Sequence, residues 1–338
     1  MHVVIRADGG PKIGYGHLVR TGALASELLD RNHDVTYATT TSEHVREVCP
    51  DTVDTVTLPS RDDPEPAREF VSDHADVVVV DSYLADGKYQ QELRAVAPLV
   101  VIADDTRHQI AADALVNGNL YAPELTYDTI GEEPKQYLGP EYVLLRPEIT
   151  AYASEDPPWR ETPTQAIVTM GGSDIAELTP TVIRAFDGFD LRVDAIVGPG
   201  FSDEQAGSVK RAARKVSADV HVLSDPDDLP ERIFEADIGI TTASTTTYEL
   251  LALGTPIVNL AVVDNQLLIA GALEKHDAAT VLEPSATQDS FSEAIGQYVS
   301  DSSLRRERRE RGRELVDGMG SVRVHRQVLS AGTSNDGI

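Results

Sequence analysis

The feature that most constrains the fold of this chain is a repeated alternation of short apolar segments with amphipathic segments. Residues 76–81 contain four consecutive valines, a pattern typical of a strand buried on both faces of a sheet. Segments with helical periodicity lie on either side of it, at residues 66–74 and 87–96. Strands that alternate with helices in this way form parallel sheets covered by helices on both faces. The sequence therefore predicts an α/β fold.

The alternation runs twice along the chain. Strands are expected at residues 3–5, 35–39, 76–81, 99–103 and 114–117 in the first series, and at residues 166–170, 193–197, 220–223, 238–241 and 257–260 in the second. Between the two series, residues 151–165 lose periodicity and carry prolines, as linkers do. A chain of 338 residues can bury two cores, so we expect two doubly wound, Rossmann-like domains that face a cleft.

These observations set the expected domain boundaries. Residues 1–150 form the N-terminal domain, residues 151–165 the linker and residues 166–329 the C-terminal domain. Within the C-terminal domain, the charged helix at residues 305–316 is expected to present a solvated face, and the final helix can return to the N-terminal domain. Residues 330–338 are expected to be a disordered tail.

The composition excludes several classes of function. A net charge of −27 opposes binding to nucleic acid or to an anionic membrane. The chain has no apolar run of about 18 residues that could span a bilayer, and its start does not resemble a signal peptide. The single cysteine, Cys49, cannot form an intrachain disulfide, and the histidines lack metal-ligand spacing. We therefore expect a cytoplasmic monomer without a bound metal, cofactor or membrane segment.

The charge also has a consequence for stability. Carboxylates are spread along the whole chain and lysine is scarce, which is typical of proteins from salt-loving archaea. At molar salt the electrostatic screening length is about 3 Å, which removes most of the repulsion between such charges. The sequence thus predicts a halophilic, haloarchaeal protein that loses stability at low salt.

The first candidate site lies between the first strand and the first helix. Residues 6–20 combine a glycine-rich turn with one histidine, and His17 falls at the start of the helix. The unpaired amides and the dipole of a helix start favour an anion and disfavour a charged imidazole. A neutral histidine next to an anion-binding turn can act as a general base. The spacing leaves a second interpretation open, in which the glycines only make a tight turn and His17 caps the helix.

Polar residues follow several other expected strands of the N-terminal half. Because the carboxyl ends of parallel strands lie at one edge of a sheet, Asp8, Asp81 and Asp104 are expected to share a rim with His17. A single aspartate can simply end its strand, but several aspartates on one rim favour a site. Each of the three is a candidate to orient the imidazole of His17, and the sequence does not decide between them.

Two loops of the C-terminal half are suited to a diphosphate. Residues 171–173, Gly-Gly-Ser, offer backbone amides and a hydroxyl directly after a strand. Residues 241–249 form a hydroxyl-rich loop that opens a helix, and Glu249, one turn into it, can accept both hydroxyls of a ribose. The alternative for this loop is a capped helix with a solvated glutamate. Asn265 and Gln266 follow the next strand, where amide side chains suit sugar hydroxyls.

Taken together, these segments resemble the hydrolase family of the pseudaminic acid pathway. The resemblance is carried by Gly14-x-Gly16-His17-x-x-Arg20, Asp81-Ser82-Tyr83, Asp104-Asp105-x-Arg107, Met170-Gly171-Gly172-Ser173-Asp174, residues 244–254 and Asp264-Asn265-Gln266. It extends over roughly residues 1–290. Members of this family hydrolyse UDP-2,4-diacetamido-2,4,6-trideoxy-beta-L-altropyranose. The family is related to spore-coat polysaccharide proteins and, more distantly, to the UDP-GlcNAc transferase of peptidoglycan synthesis.

The resemblance implies a GT-B arrangement in which the C-terminal domain binds UDP and the N-terminal domain binds the sugar. It implies that His17 is the general base, Tyr83 a sugar-side tyrosine and Glu249 the ribose ligand. The sugar-side candidates are Asp8, Gly14, Gly16, Arg20, Asp81, Tyr83, Asp104, Arg107, Asn265 and Gln266. The UDP-side candidates are Gly171, Gly172, Ser173, Ser244, Thr245, Thr246 and Glu249. The chain departs from the family at Tyr248, where members carry asparagine, and at residues 8–10, where they have a serine-rich entry.

The mechanism that the resemblance implies is hydrolysis with inversion. Water deprotonated by His17 attacks the anomeric carbon opposite the UDP leaving group, and backbone amides stabilise the departing diphosphate without a metal. A UDP-sugar-dependent GT-B glycosyltransferase is the first alternative, because an acceptor hydroxyl can replace water. Residues 1–150 lack the basic and apolar patch by which peptidoglycan-type transferases dock on membranes, which favours the hydrolase. A non-catalytic nucleotide-sugar-binding protein is the second alternative, and it would have no need for His17.

Overall fold

The structure is a computed structural model that describes residues 1–11 and 13–333. The strands in the described part are β1 (His2–Ala7), β2 (Asp34–Thr39), β3 (Asp54–Thr57), β4 (Val77–Asp81), β5 (Leu99–Ile102), β6 (Ala114–Asn117), β7 (Lys135–Leu138), β8 (Gln165–Thr169), β9 (Arg192–Val197), β10 (Asp219–Ser224), β11 (Ile238–Thr242), β12 (Ile257–Leu260) and β13 (Ala279–Leu282). The helices are α1 (Gly16–Asp30), α2 (Ser42–Val48), α3 (Glu65–His74), α4 (Gly87–Arg94), α5 (Pro147–Ala153), α6 (Thr179–Ala185), α7 (Asp203–Ala213), α8 (Leu229–Glu235), α9 (Thr245–Leu253), α10 (Leu267–Lys275), α11 (Gln288–Ser300), α12 (Ser302–Leu315) and α13 (Gly320–Thr333).

The chain folds into two compact units. Unit 1 comprises Met1–Pro147 together with the chain from Gly318 onward, and unit 2 comprises Glu148–Asp317. Residues 151–165, expected to be a linker, thus belong to unit 2, and α13 belongs to unit 1. Residues 330–333 form the last turn of α13 rather than a disordered tail, and the remainder of that expected tail, 334–338, lies outside the described residues.

Unit 1 is built on a parallel sheet with the strand order β3-β2-β1-β4-β5-β6-β7. Successive side chains of a strand point to opposite faces, so a strand covered on both sides needs apolar residues at every position. The valines of β4 meet this demand, because Val77 and Val79 pack into one core and Val78 and Val80 into the other. Helices α1 and α13 pack against each other over the first of these cores.

Unit 2 repeats the plan with a parallel sheet in the order β10-β9-β8-β11-β12-β13. Its main core gathers apolar residues of β8, β11 and β12 beneath α6 and α11, where Phe186, Phe291 and Tyr298 are fully buried. The two units confirm the predicted fold class of two doubly wound parallel sheets. Strands β3, β7 and β13 were not predicted from the sequence, and all three are edge strands. An edge strand has one neighbour and is partly exposed, so it needs no continuous apolar run.

The charged helix α12 differs from its expected role as a solvated face. Arg305 is buried and donates hydrogen bonds to the backbone carbonyls of Arg160 and Glu161, at 3.1 and 2.6 Å. Arg309 donates to the carbonyl of Pro158 at 2.7 Å, and the guanidinium of Arg306 lies 4.6 Å from the centroid of the Trp159 ring. The arginines of α12 therefore hold the proline-containing segment in place through backbone carbonyls and one aromatic ring.

A buried histidine lies where α13 packs against α1. His325 is 4% exposed, and neither of its ring nitrogens has a hydrogen-bond partner among the residues described. The ring centroid of His33 is 5.5 Å away, and Arg31, Glu27 and Arg326 supply the nearby charges. Burial lowers the pKa of His325 below its ordinary value, and the charge of Arg31 adds to that effect.

Replacing His325 with leucine is expected to stabilise the protein and to weaken its pH dependence. The unfolded chain has a histidine pKa of about 6.5, above that of the folded state. It therefore binds more protons, and the free energy of unfolding falls as the pH drops below about 6.5. Urea unfolding of the wild type, H325L and the exposed control H74L, compared between about pH 7.5 and 5.5, measures this. A pH dependence in H325L as steep as that of the wild type would contradict it.

Candidate active site

The candidate active site of unit 1 lies at the point where the strand order reverses. Strands β1 and β4 are neighbours, and the chain winds outward from them in opposite directions. Ligands of such sheets bind beyond the carboxyl ends of the strands at this switch point. Helix α1 begins after β1, which places His17 there, and Asp81 is the last residue of β4. The topology thus brings together two residues that are distant in sequence.

His17 and Asp81 form a buried pair. The Nδ1 atom of His17 lies 2.7 Å from Oδ1 of Asp81, and the two residues are 8% and 1% exposed. The Nη2 atom of Arg20 lies 3.1 Å from the same Nδ1 atom, but the contact with Asp81 is the shorter one. Because a carboxylate only accepts hydrogen bonds, Nδ1 carries a proton and donates a hydrogen bond to Asp81. The Nε2 atom then has a lone pair and can accept a proton from a ligand. Of the three aspartates considered from the sequence, Asp81 is the one that orients the imidazole.

Arg20, one turn further along α1, binds the Asp81 carboxylate of this pair. Its Nε and Nη2 atoms donate to Oδ2 and Oδ1 of Asp81, each at 2.6 Å, and Nη1 donates to Oδ1 of Asp104 at 2.5 Å. Burial by itself would raise the pKa of Asp81, but the charges of Arg20 and His17 and their hydrogen bonds hold that pKa well below its usual range. Asp81 is therefore ionised and can stabilise an imidazolium on His17.

Tyr83 and Asp104 extend this network. The hydroxyl of Tyr83 donates to Oδ2 of Asp104 at 2.9 Å, and its ring meets that of His17 edge to face, with centroids 4.7 Å apart. The guanidinium of Arg107 lies 4.0 Å from the centroid of the Tyr83 ring and is paired with Asp105. Burial and the charge of Asp104 raise the pKa of Tyr83, so it remains a phenol. His17, Arg20, Asp81, Tyr83, Asp104 and Arg107 are thus brought into one cluster.

Asp8 differs from its predicted role on the sugar side. It is buried and its Oδ2 atom accepts from Nη1 of Arg6 at 2.7 Å, while its Oδ1 atom accepts from the amide of Thr40 at 2.7 Å. Further donors to Asp8 are the hydroxyls of Thr39 and Thr40 and the guanidinium of Arg61. These partners make Asp8 a residue that anchors the start of the glycine-rich loop. Arg6 was not predicted to have a role, because its only signal in the sequence is a charge within an apolar strand.

The glycine-rich loop leaves its backbone accessible. Gly10 and Gly14 form an isolated antiparallel β-bridge with each other. Their φ angles are 138° and 93°, in the region that favours glycine. A Cβ atom built on Gly14 or Gly16 would meet no atom of the described residues within 4 Å. The open side of these α-carbons allows a ligand to approach the backbone closely. Lys12, in the same loop, lies outside the described residues.

The corresponding point of unit 2 lies between β8 and β11, which are also neighbours at a reversal of strand order. Gly171 has a φ angle of 75°, and a Cβ atom on it would lie 3.8 Å from the Thr242 hydroxyl oxygen. Helix α6 begins at Thr179, so a loop separates residues 171–173 from it. The amides of Leu178 and Thr179, at the start of α6, donate to the carboxylate of Asp174. The loop, and not the start of this helix, therefore offers the backbone amides that could bind a phosphate.

The hydroxyl-rich loop does open a helix directly. The amide of Ser244 donates to Oγ1 of Thr247 at 3.3 Å, and that hydroxyl donates to the carbonyl of Thr242 at 3.1 Å. The Oγ atom of Ser244 is buried and has no hydrogen-bond partner in the part of the chain that the structure describes. Thr245 and Thr246 are half-buried at the first turn of α9. Glu249 is 4% exposed, so the alternative of a solvated glutamate is wrong.

The remaining sugar-side candidates lie in unit 2, in the loop after β12. Asn265 is exposed, whereas Gln266 is half-buried and its Oε1 atom accepts from the amide of Val262 at 2.9 Å. Asn119, which follows β6 in unit 1, donates to Asp104 at 3.2 Å and joins the His17 cluster without having been selected from the sequence. The only signal for Asn119 in the sequence is that it is a polar residue that follows a strand.

Within residues 1–11 and 13–333, no helix is long and apolar enough to cross a membrane. In the same residues, no group of three or more histidine, cysteine, aspartate or glutamate side chains could hold a metal ion.

Two doubly wound parallel sheets, each with a polar site at its switch point, define the GT-B fold. MurG from Acinetobacter baumannii superimposes with a TM-score of 0.72 over 97% of this chain and 99% of that chain, at 15% identity. CalG4, the calicheamicin glycosyltransferase, gives 0.68 over 100% and 99%, also at 15% identity. The chain is also 26% identical over 334 residues, 96% of each protein, to the spore coat polysaccharide biosynthesis protein SpsG of Bacillus subtilis. No family model matches the chain.

Proposed function

We propose that this protein is a GT-B enzyme of polysaccharide biosynthesis that transfers a glycosyl group from a nucleotide sugar to a hydroxyl acceptor. The observation that carries the proposal is the His17–Asp81 pair at the switch point of unit 1, because it presents an imidazole nitrogen able to take a proton. The likeness to SpsG and to a glycosyltransferase structure supports the same class. UDP is the proposed nucleotide, on the family resemblance of the sequence motifs.

The proposed chemistry is a single displacement at the anomeric carbon. Nε2 of His17 takes the proton of the acceptor hydroxyl while the acceptor oxygen attacks that carbon. The bond from the carbon to the diphosphate oxygen breaks, and the diphosphate leaves with the electron pair. Asp81 stabilises the imidazolium that forms on His17, because it is ionised and accepts the Nδ1 proton. A general base of this kind accelerates a reaction by about 10² to 10⁴.

Unit 2 is proposed to bind the nucleoside diphosphate. A Cβ atom built on Gly172 would meet no atom of the described residues within 4 Å, and the start of α9 combines helix amides with the buried hydroxyl of Ser244. Such a helix start attracts phosphate through its amides and its dipole. Glu249 is proposed as the ribose ligand on the family resemblance, and its low exposure fits a residue that faces a site rather than bulk solvent.

Hydrolysis is the second candidate function. The observation that favours it is the motif Gly14-x-Gly16-His17-x-x-Arg20, which resembles the hydrolase family and whose His17 and Arg20 meet at Asp81. Water would take the place of the acceptor hydroxyl, and His17 would keep its role. The substrate would be the UDP-2,4-diacetamido-2,4,6-trideoxyhexose of that family.

The test is the release of nucleoside diphosphate by the full chain, in buffers of low and molar salt. UDP-, GDP- and dTDP-linked sugars, with UDP-2,4-diacetamido-2,4,6-trideoxyhexose among them, are incubated with and without a mixture of hydroxyl acceptors. Free nucleotide is then quantified by chromatography. Transfer predicts release that depends on the acceptor, whereas equal release without acceptor establishes hydrolysis. Binding of a nucleotide sugar without release in any condition would contradict both and leave a nucleotide-sugar-binding protein.

A further inference from the structure

We infer that Arg20 is a positioning residue and not a sugar ligand. Through Asp81 and Asp104 it fixes the orientations of the proposed base, His17, and of the Tyr83 side chain. The inference rests on the proposed function, because it assigns Arg20 a role in that reaction. It replaces the sugar-side role that the sequence motif suggested for this residue.

Three of the five N–H donors of the Arg20 guanidinium are used by carboxylates. Nε and Nη2 form a two-pronged contact with Asp81, and Nη1 contacts Asp104, so each of its three nitrogens meets a carboxylate oxygen at 2.5 to 2.6 Å. The side chain is only 17% exposed. The single positive charge of Arg20 thus neutralises part of the charge of two carboxylates, and its charge-assisted hydrogen bonds are made within the protein and not to a sugar hydroxyl.

The contacts close into a ring. His17 donates to Asp81, Arg20 bridges Asp81 and Asp104, the hydroxyl of Tyr83 donates to Asp104, and the ring of Tyr83 returns to His17. Each side chain in the ring is held from two sides, so its rotamer is fixed. The direction in which Nε2 of His17 points therefore depends on Arg20, which does not itself need to touch the substrate.

Only arginine fits this position. The two-pronged contact requires a planar fork with a third nitrogen turned to the other carboxylate, and lysine offers a single point charge. Lysine at position 20 would keep the charge and lose the geometry. Methionine would lose both and leave Asp81 and Asp104 without their shared cation. The two substitutions therefore separate the effect of orientation from the effect of charge.

The kinetic test compares R20K and R20M with R31K, a control at the C-terminal cap of α1 whose arginine is exposed and paired with Glu27. Turnover of R20K is expected to fall by about 10²-fold, the scale of a misplaced catalytic group, with KM within about twofold of the wild type. R31K is expected to match the wild type. A raised KM with unchanged turnover would show that Arg20 binds the sugar and would overturn the inference.

A spectroscopic test stands apart from activity and so remains informative if the proposed reaction is wrong. Two-dimensional spectra of ¹⁵N-histidine-labelled protein report which ring nitrogen of His17 is protonated, with the His17 signals assigned by their loss in H17Q. The wild type and R31K are expected to show the Nδ1-protonated form, and R20K and R20M a mixture of tautomers. Unchanged His17 spectra in both Arg20 variants would overturn the inference even if turnover fell.

Discussion

Replacing His17 with glutamine is expected to lower turnover by at least about 10²-fold and to leave the binding of the nucleoside diphosphate intact. Glutamine can still occupy the site beside Asp81, but it has no nitrogen that accepts a proton near neutral pH. The Nε2 atom of His17 is the group proposed to take the proton, since Nδ1 donates to Asp81. Turnover is measured as nucleotide release, and binding by calorimetry with UDP.

The exposed residue His74 provides the matched control for this prediction. H74Q makes the same chemical change on α3, away from the candidate site, and is expected to match the wild type in both measurements. Turnover of H17Q within a few-fold of the wild type would remove His17 from the mechanism. A joint loss of turnover and UDP binding in H17Q would indicate a binding role in place of proton transfer.

Replacing Asp8 with alanine is expected to lower the free energy of unfolding by about 3–5 kcal/mol, the cost of breaking a buried ion pair by removing one partner. Arg6 is 1% exposed, and without Asp8 its remaining partners among the described residues are the hydroxyl of Tyr89 and the carbonyl of Arg61. The charge of Arg6 would then be buried without a counter-charge. Urea unfolding of the full chain measures the change.

Two further variants make this prediction specific. D62A removes an exposed aspartate and is expected to change the stability little. The double variant R6M/D8L replaces the whole pair with apolar side chains and is expected to lose much less stability than D8A, because no charge remains unpaired. Normal stability of D8A together with a raised KM would contradict the structural role and return Asp8 to the sugar side.

The fold could be predicted because burial on both faces of a sheet leaves a local signature in the sequence. The valines of β4 serve two cores at once, and only a continuous apolar run can do so. The extent of the units could not be predicted in the same way. Arg305 and Arg309 assign the proline-containing segment to unit 2 through hydrogen bonds to its backbone carbonyls, which no side-chain pattern records.

The candidate site was predicted as a set of residues but not as an arrangement. His17 and Asp81 are 64 positions apart, and only the order of the strands shows that Asp81 is its partner, whereas Asp8 faces Arg6. One local signal was available and not used. Pro180 marks the first turn of α6, so the helix could have been started there and Asp174 recognised as the residue that binds its first amides.

The configuration of the product at the anomeric carbon tests the central claim most directly. A single base, His17, that activates one attacking oxygen requires that oxygen to enter opposite the diphosphate, whether it belongs to an acceptor or to water. Proton NMR of the first product, recorded before the anomers equilibrate, reads the configuration from the coupling of the anomeric proton. Inversion relative to the nucleotide sugar is the predicted result, and retention of configuration would contradict it.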